Sequence, residues 1–179
     1  MSDVQHVDPA EARRFLEIYL RDHYAGSTAG LSLVRRCRAS NEGTPLGSLM
    51  AELETEIGAD RRTLEALMGR LDVTPSGVKS AIGAMTELVA RLKANGLFAR
   101  SSPLSRVVEL EALAAGIITK RNLWRALRGL AGRDGMFEAD ELDALIERAT
   151  EQFDRVLGAH AAASAAAFSP AAATTAGRA

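Results

Sequence analysis

Apolar residues recur at alternating steps of three and four along three long segments of the chain. Such seams are typical of long α-helices that pack nearly antiparallel in a bundle. The pattern therefore predicts an all-helical protein. The seam residues are Met50, Leu53, Ile57, Leu64, Leu67 and Leu71 in the second predicted helix, Leu110, Leu113, Ile117, Trp124 and Leu127 in the fourth, and Leu142, Leu145, Ala149, Val156 and Ala159 in the fifth.

A capping side chain followed by proline marks four predicted helix starts. The side-chain oxygen of Asp, Thr or Ser accepts a hydrogen bond from the first turn, where proline lacks only an N–H that would be unpaired. A fifth helix is expected to begin between Met136 and Ala139 and to fade after His160. The four pairs are Asp8-Pro9, Thr44-Pro45, Thr74-Pro75 and Ser102-Pro103.

The helix lengths and connections predict the topology. Four helices run roughly 26 to 32 residues, and the third, from Pro75 to Ala94, is shorter. Short connections make the first and second helices antiparallel, and likewise the fourth and fifth. We predict an all-α, ferritin-like four-helix bundle of two antiparallel hairpins, with a shorter crossover helix between the second and third bundle helices. Residues 8–160 form this single domain, and residues 161–179 are an Ala-rich tail expected to be disordered.

The first predicted helix carries only small residues from Ala25 to Gly30. Two interpretations remain open: the helix approaches a neighbour closely there, or it is kinked. We favour the close approach.

Composition agrees with a helical globular domain. The 179 residues are 47% hydrophobic and 25% charged, and the aromatic share of 4% disfavours strands. A net charge of −1 gives no general attraction to nucleic acid or anionic membranes. The single cysteine, Cys37, excludes an intramolecular disulfide and fits a reducing compartment. With no signal-peptide pattern and no apolar run of about 20 residues, we expect a cytoplasmic protein that does not contact membranes.

Five segments resemble a poorly characterised group of actinobacterial helical-bundle proteins, and the similarity covers most of residues 8–160. The wider pattern is similar to the ferritin-like superfamily. The resemblance implies the fold and implies no activity, because the small group has none assigned. The segments are Tyr19–His23, Thr44–Gly47, Glu56–Arg61, Ser102–Arg106 and Val108–Leu113.

The ligand spacing of a ferritin-like di-iron centre is missing. Such a centre takes a Glu from each of two helices and Glu-x-x-His from each of the other two. The chain has three histidines. Leucine stands three residues before His23 and before His160, and His6, which follows Asp3 at that spacing, precedes the first helix. We therefore predict no metal and no cofactor, unless an atypical site exists.

Three carboxylates are candidates for relic metal ligands: Glu56 on the second predicted helix, and Glu109 and Glu111 on the fourth. Surface charge is the favoured interpretation for Glu109 and Glu111, because negative groups suit a helix start, and a solvated face is favoured for Glu56.

One polar residue interrupts the apolar seam of each bundle helix near mid-length: His23, Asp60, Lys120 and Gln152. A buried charge requires a partner, so we expect Asp60 to contact Lys120 and His23. The favoured interpretation is a buried polar layer that fixes helix register. A ligand-binding polar pocket, or a seam misplaced by one position, are the alternatives.

The fourth predicted helix also carries Arg121, Arg125 and Arg128 along one stripe. Without interleaved aromatic residues or a nucleic-acid motif, the stripe favours a solvated or inter-subunit face over DNA binding. Cys37 is expected to be a buried structural thiol.

These patterns favour a non-catalytic, metal-free, ferritin-like bundle that acts through protein interaction. Self-association, most simply as a homodimer through a face around Tyr19, Tyr24 and Trp124, is the expected mode. The alternative is a small-molecule-binding protein or an atypical metal enzyme that uses the polar layer, so an enzymatic role stays open. The deciding observation is whether the layer lines an open cavity or closes on itself.

Overall fold

The computed structural model describes residues 7–75, 102–132 and 137–169, and these residues form four α-helices without a strand. The prediction of an all-helical bundle is confirmed. Among the described helices, none combines the length and apolarity needed to cross a membrane. His6 lies outside the described ranges, and so does the predicted helix from Pro75 to Ala94 apart from its first residue. The helices are α1 (Pro9–Ser40), α2 (Pro45–Arg70), α3 (Pro103–Arg128) and α4 (Ala139–Phe168).

Three of the predicted proline-preceding caps form as expected. The Asp8 carboxylate accepts from the amide of Ala10 at 3.3 Å, and the Thr44 hydroxyl accepts from the amide of Gly47 at 3.1 Å. The Ser102 hydroxyl accepts from the amide of its third neighbour at 3.2 Å. Each contact satisfies one of the unpaired donors of a helix start. The fourth pair, Thr74-Pro75, stands at the edge of the described residues.

Left-handed residues follow three of the helices. Gly43 (φ +74°) follows α1 and Gly132 (φ +83°) follows α3, and glycine adopts this conformation without strain. The left-handed residue that follows α2 is Asp72 (φ 55°), and aspartate is among the few other residue types that tolerate this conformation. α1, α2 and α3 thus each end within four residues of a left-handed residue.

The last helix is longer than predicted. α4 continues through residues 161–168 and ends at Phe168, so the expected disorder of the tail is wrong for these residues. Alanine has the highest helix propensity, and Ala163 packs against the core while partly buried. Residues 170–179 lie outside the described part of the chain.

Contacts between helix ends set the directions of the first two helices and the last. The Arg13 guanidinium donates to the carbonyl of Leu71 at 2.5 Å, so the start of α1 lies beside the end of α2. Arg70 pairs with Glu141 at 3.2 Å, which places the start of α4 at the same end. α2 is therefore antiparallel to both α1 and α4.

α3 begins at the opposite end of the bundle. Its first turns carry Glu109, which accepts from Cys37 near the end of α1 at 3.2 Å. α3 therefore runs parallel to α2 and antiparallel to α1 and α4. The chain between α2 and α3 joins opposite ends of the bundle, as the predicted pair of antiparallel hairpins requires.

The predicted seams form the core. Every seam residue named for α2 and α3 is buried, and in α4 only Ala159 is partly exposed. Tyr24 and Trp124 are also buried, whereas Tyr19 keeps 36% of its surface exposed. The predicted dimer face around these three residues is therefore wrong, because two of them pack inside the bundle.

The small residues of α1 bring none of the described neighbours close. The helix is continuous from Pro9 to Ser40, so it does not end at this segment. Among the described residues, a Cβ atom built on Gly26 or Gly30 meets no atom within 4 Å. The favoured prediction of a close approach is therefore wrong for α2, α3 and α4, and the missing side chains leave open space between the described helices.

A genuine close approach occurs at Gly47, where α2 begins. A Cβ atom there would lie 2.1 Å from the carbonyl oxygen of Asn41, which the Thr44 hydroxyl holds at 2.7 Å. We expect Gly47→Ala to lower the free energy of unfolding by about 2 kcal/mol, because backbone must shift to relieve the overlap.

Urea unfolding monitored by circular dichroism measures this change. Gly69→Ala is the matched control on the same helix, since a Cβ atom there meets nothing within 4 Å. It should be neutral or stabilising by up to about 1 kcal/mol. Equal stability of Gly47→Ala and the parent protein would contradict the prediction.

Candidate functional site: a polar network beside an apolar cavity

Three of the four predicted layer residues meet in the core. The Lys120 ammonium on α3 donates to the Asp60 carboxylate on α2 and to the Gln152 amide oxygen on α4, each at 2.5 Å. Asp60 is 3% exposed and Gln152 is fully buried. A buried carboxylate at this depth needs a cation and further donors, and the network supplies both.

Two arginines of α4 extend the network. Arg148 donates to the second oxygen of Asp60 through Nε at 2.8 Å and also through Nη2, and Arg155 pairs with Glu56. The Gln152 amide nitrogen donates to Glu56 at 3.0 Å and to Asp60 at 3.3 Å. Both carboxylates are thus engaged by protein cations, which any metal ion would have to displace.

Sequence reasoning missed Arg148 and Arg155. Their spacing around Gln152, four residues before and three after, places all three on one face of α4. The signal was present but lay beside the apolar seam rather than on it.

His23 stands apart from the hydrogen-bonded network. Its ring meets Tyr19 edge-on, with the centroids 4.4 Å apart, and the expected contact with Asp60 is not among the hydrogen bonds of residues 7–75. Burial lowers the pKa of the imidazole below its ordinary value, although the nearby Asp22 carboxylate opposes the shift. The ring is therefore neutral at pH 7, with one donor and one acceptor nitrogen.

A cavity of about 670 Å³ lies between α1, α2 and α3. Most of its wall is apolar, and α2 contributes Ile57, Asp60, Arg61 and Leu64 to the lining. His23, Asp60 and Lys120 all border it. Both arrangements considered for the polar layer therefore occur: Asp60 and Lys120 close on each other and also border an open space.

The cavity exists because the facing surfaces of α1 and α3 carry small residues. Gly26 and Gly30 on α1 and Gly116 on α3 line it, and a Cβ atom on any of them meets nothing within 4 Å. Ala112 and Ala115 continue the small surface of α3. The small segment of α1 was visible in the sequence, but its partner on α3 was not recognised.

The three candidates for relic metal ligands have different partners. Glu109 is 8% exposed and accepts from Arg36 and Cys37, each at 3.2 Å. Glu111 pairs with His160 at 3.2 Å on the surface, and Glu56 belongs to the network above. In the part of the chain that the structure describes, no group of three or more His, Cys, Asp or Glu side chains is placed to hold a metal.

Cys37 is buried against Glu109. Burial raises the pKa of the thiol far above its ordinary value, and the charge of Glu109 and its hydrogen bond with the thiol raise the pKa further. Because the thiolate is the reactive form, this side chain is poorly suited to act as a nucleophile.

The arginine stripe of α3 serves in part to pack α3 against α4. Arg121 lies over the ring of Phe153 at 5.5 Å, and Arg128 pairs with Asp143 at 2.9 Å. Arg125 is exposed. Two of the three stripe residues thus have partners on α4.

The network generates a stability prediction. Asp60→Leu leaves Lys120 and Arg148 without their shared carboxylate, and we expect a loss of about 3 kcal/mol in the free energy of unfolding. In the double variant Asp60→Leu/Lys120→Met, the loss should be smaller than the sum of the two single losses, because an apolar pair replaces the ion pair.

Urea unfolding of the parent, both single variants and the double variant measures this coupling. Asp143→Leu is the control, because its pair with Arg128 is exposed and is expected to contribute less than about 1 kcal/mol. Additive losses at Asp60 and Lys120 would show that the two side chains do not stabilise each other.

The chain matches no protein-family model, no curated protein and no solved structure. The cavity and the network are therefore the basis for inferring function, since a fold alone does not specify one.

Proposed function

We propose that this protein binds a small molecule in the cavity between α1, α2 and α3. The observation that carries the proposal is the cavity itself, with its volume of about 670 Å³. Ligand pockets typically measure about 300–1,000 Å³ and combine apolar walls with a few polar groups that converge. His23, Asp60 and Lys120 are such groups, from three different helices.

The bundle that carries the cavity is, in this proposal, a ferritin-like fold without the di-iron centre. Supporting this are the helix directions and the long connection between α2 and α3, together with the resemblance to the actinobacterial helical-bundle group. Lys120, Arg148 and Arg155 neutralise the carboxylates nearest to the expected metal level. Binding without catalysis is therefore favoured over metal chemistry, and the lone buried thiol favours the cytoplasm.

Filling the cavity tests the proposal. The neutral dye N-phenylnaphthylamine is the probe, and its fluorescence rises when it enters an apolar site. We expect one dye molecule per chain, and an affinity at least tenfold lower for the variant Gly30→Leu/Gly116→Leu. The added side chains occupy the cavity from both facing helices, where the parent offers open space.

Gly158→Leu is the matched control, because this glycine lies on α4 outside the cavity and a Cβ atom there also meets nothing within 4 Å. It should bind the dye like the parent. Thermal melts of all variants report folding, and leucine favours a helix more than glycine does. Unchanged dye binding in the cavity-filling variant would overturn the proposal.

Self-association is the second candidate function. Phe15, Ile18 and Tyr19 lie at positions i, i+3 and i+4 of α1 and are 51%, 44% and 36% exposed. Large apolar side chains that are adjacent and exposed are typical of interaction surfaces. We propose that this patch of α1 pairs two chains as a homodimer, which replaces the face predicted around Tyr24 and Trp124.

Light scattering coupled to size exclusion tests the pairing. The parent protein should elute as a dimer at micromolar concentration, and Phe15→Glu/Ile18→Glu should elute as a monomer. Leu157→Glu, on the exposed surface of α4, serves as control and should remain dimeric. A monomeric parent would contradict the proposal.

A further inference from the structure

The polar groups around the cavity differ in how many of their hydrogen-bonding positions are already used within the protein. Asp60 has both carboxylate oxygens occupied by Lys120, Arg148 and Gln152. The hydroxyls of Ser27 and Thr119 donate to carbonyls of their own helices at 2.6 and 2.9 Å. The strongest acceptor in the wall is therefore already saturated.

Several hydrogen-bond donors in the cavity wall can still bind a ligand. The Lys120 ammonium has three N–H groups, of which Asp60 and Gln152 take two. His23 borders the cavity with a ring that takes no hydrogen bond from or to the described residues, so its N–H is available. Arg61, also in the wall, uses Nη2 to reach the Tyr24 hydroxyl at 2.7 Å, whereas its buried Nε has no partner in the described ranges.

The charges agree with this distribution. Asp60 lies between the cations of Lys120 and Arg148, so its negative charge is compensated where it borders the cavity. The other carboxylate that borders the cavity, Asp22, is exposed and faces solvent, where water and salt weaken its repulsion of an anion. A ligand that brings hydrogen-bond acceptors, or one negative charge, complements the inner wall.

On α3, the cavity lining continues well to the N-terminal side of Lys120. On α3, Ala112 lies eight residues before Lys120, about 12 Å along the helix axis. The lining residues of α3 between them are Leu113, Ala115, Gly116, Ile117 and Thr119. The wall that α3 contributes before Lys120 is therefore mostly apolar, and several of its side chains are small.

From these observations we infer that the ligand is a carboxylate with an unbranched apolar tail. The tail lies between the small residues of α1 and α3, and the carboxylate accepts hydrogen bonds from Lys120 Nζ and from the imidazole of His23. This inference rests on the proposed function, because it names the chemistry of the molecule that fills the same cavity.

Three probes that share one tail separate the head groups: decanoate, decanol and decylamine. Each is titrated into the full chain below its aggregation concentration, and the fluorescence of Trp124, the single tryptophan, reports binding from the cavity wall. We expect decanoate to bind at least tenfold more tightly than decanol, and decylamine to bind most weakly. Gly30→Leu/Gly116→Leu should abolish all three signals.

Two variants test the named donors. Lys120→Met should lower the affinity for decanoate at least tenfold while leaving that for decanol within about threefold of the parent. Because Lys120 also holds Asp60, His23→Leu provides a second test outside the network, and it should narrow the preference for decanoate over decanol by at least threefold. Leu157→Ala, remote from the cavity, should leave all affinities unchanged.

The outcomes separate this inference from the proposed function. Decanol or decylamine binding as tightly as decanoate, with sensitivity to Gly30→Leu/Gly116→Leu, would overturn the carboxylate and keep the cavity as a binding site. N-phenylnaphthylamine binding without any aliphatic probe would also overturn the tailed carboxylate alone. Absence of binding by the dye and by all three probes would overturn both proposals.

Discussion

The need to neutralise one buried carboxylate organises the bundle. Asp60 is almost fully enclosed, and an unpaired charge in that position would carry a large desolvation penalty. The chain satisfies it with Lys120 from α3 and Arg148 from α4. Because each donor comes from a different helix, the pairing holds only when α2, α3 and α4 have one particular register. The contacts of the network are therefore compatible with one register of these three helices.

α1 is the helix that this network does not reach, and the consequence is the cavity. Its ties to α3 are concentrated near one end, where Glu109 takes both Arg36 and Cys37. Further along, α1 presents Gly26 and Gly30 to a surface of α3 that includes Gly116, and no side chain of the described residues fills the gap. Replacing these glycines with alanine would raise helix propensity at each position. The structure thus gives up local stability at the points that keep the space open, a pattern expected where function depends on the space.

Sequence patterns predicted the helices well because local chemistry determines them. The caps at Asp8, Thr44 and Ser102 need only their own first turn, and the seams of α2 and α3 follow from helical periodicity alone. The polar network was only partly predictable. Lys120 and Asp60 interrupt apolar seams, so the sequence identifies them as unusual. Arg148 and Arg155 lie beside a seam, and in the sequence they cannot be distinguished from ordinary surface charge.

The cavity could not be predicted in the same way, because a run of small residues has two opposite outcomes. Small side chains either let two backbones approach or leave a gap, and the outcome depends on what holds the helices apart elsewhere. Here Trp124 and Leu123 on α3, together with Leu33 on α1, are large residues that border the same space. Lys120 then belongs to two systems at once. Its contacts with Asp60 and Gln152 fix the position of its ammonium group, and the same residue borders the cavity. A donor fixed in this way loses little conformational entropy when it binds, so in the proposed function the same network preorganises the cavity for its ligand.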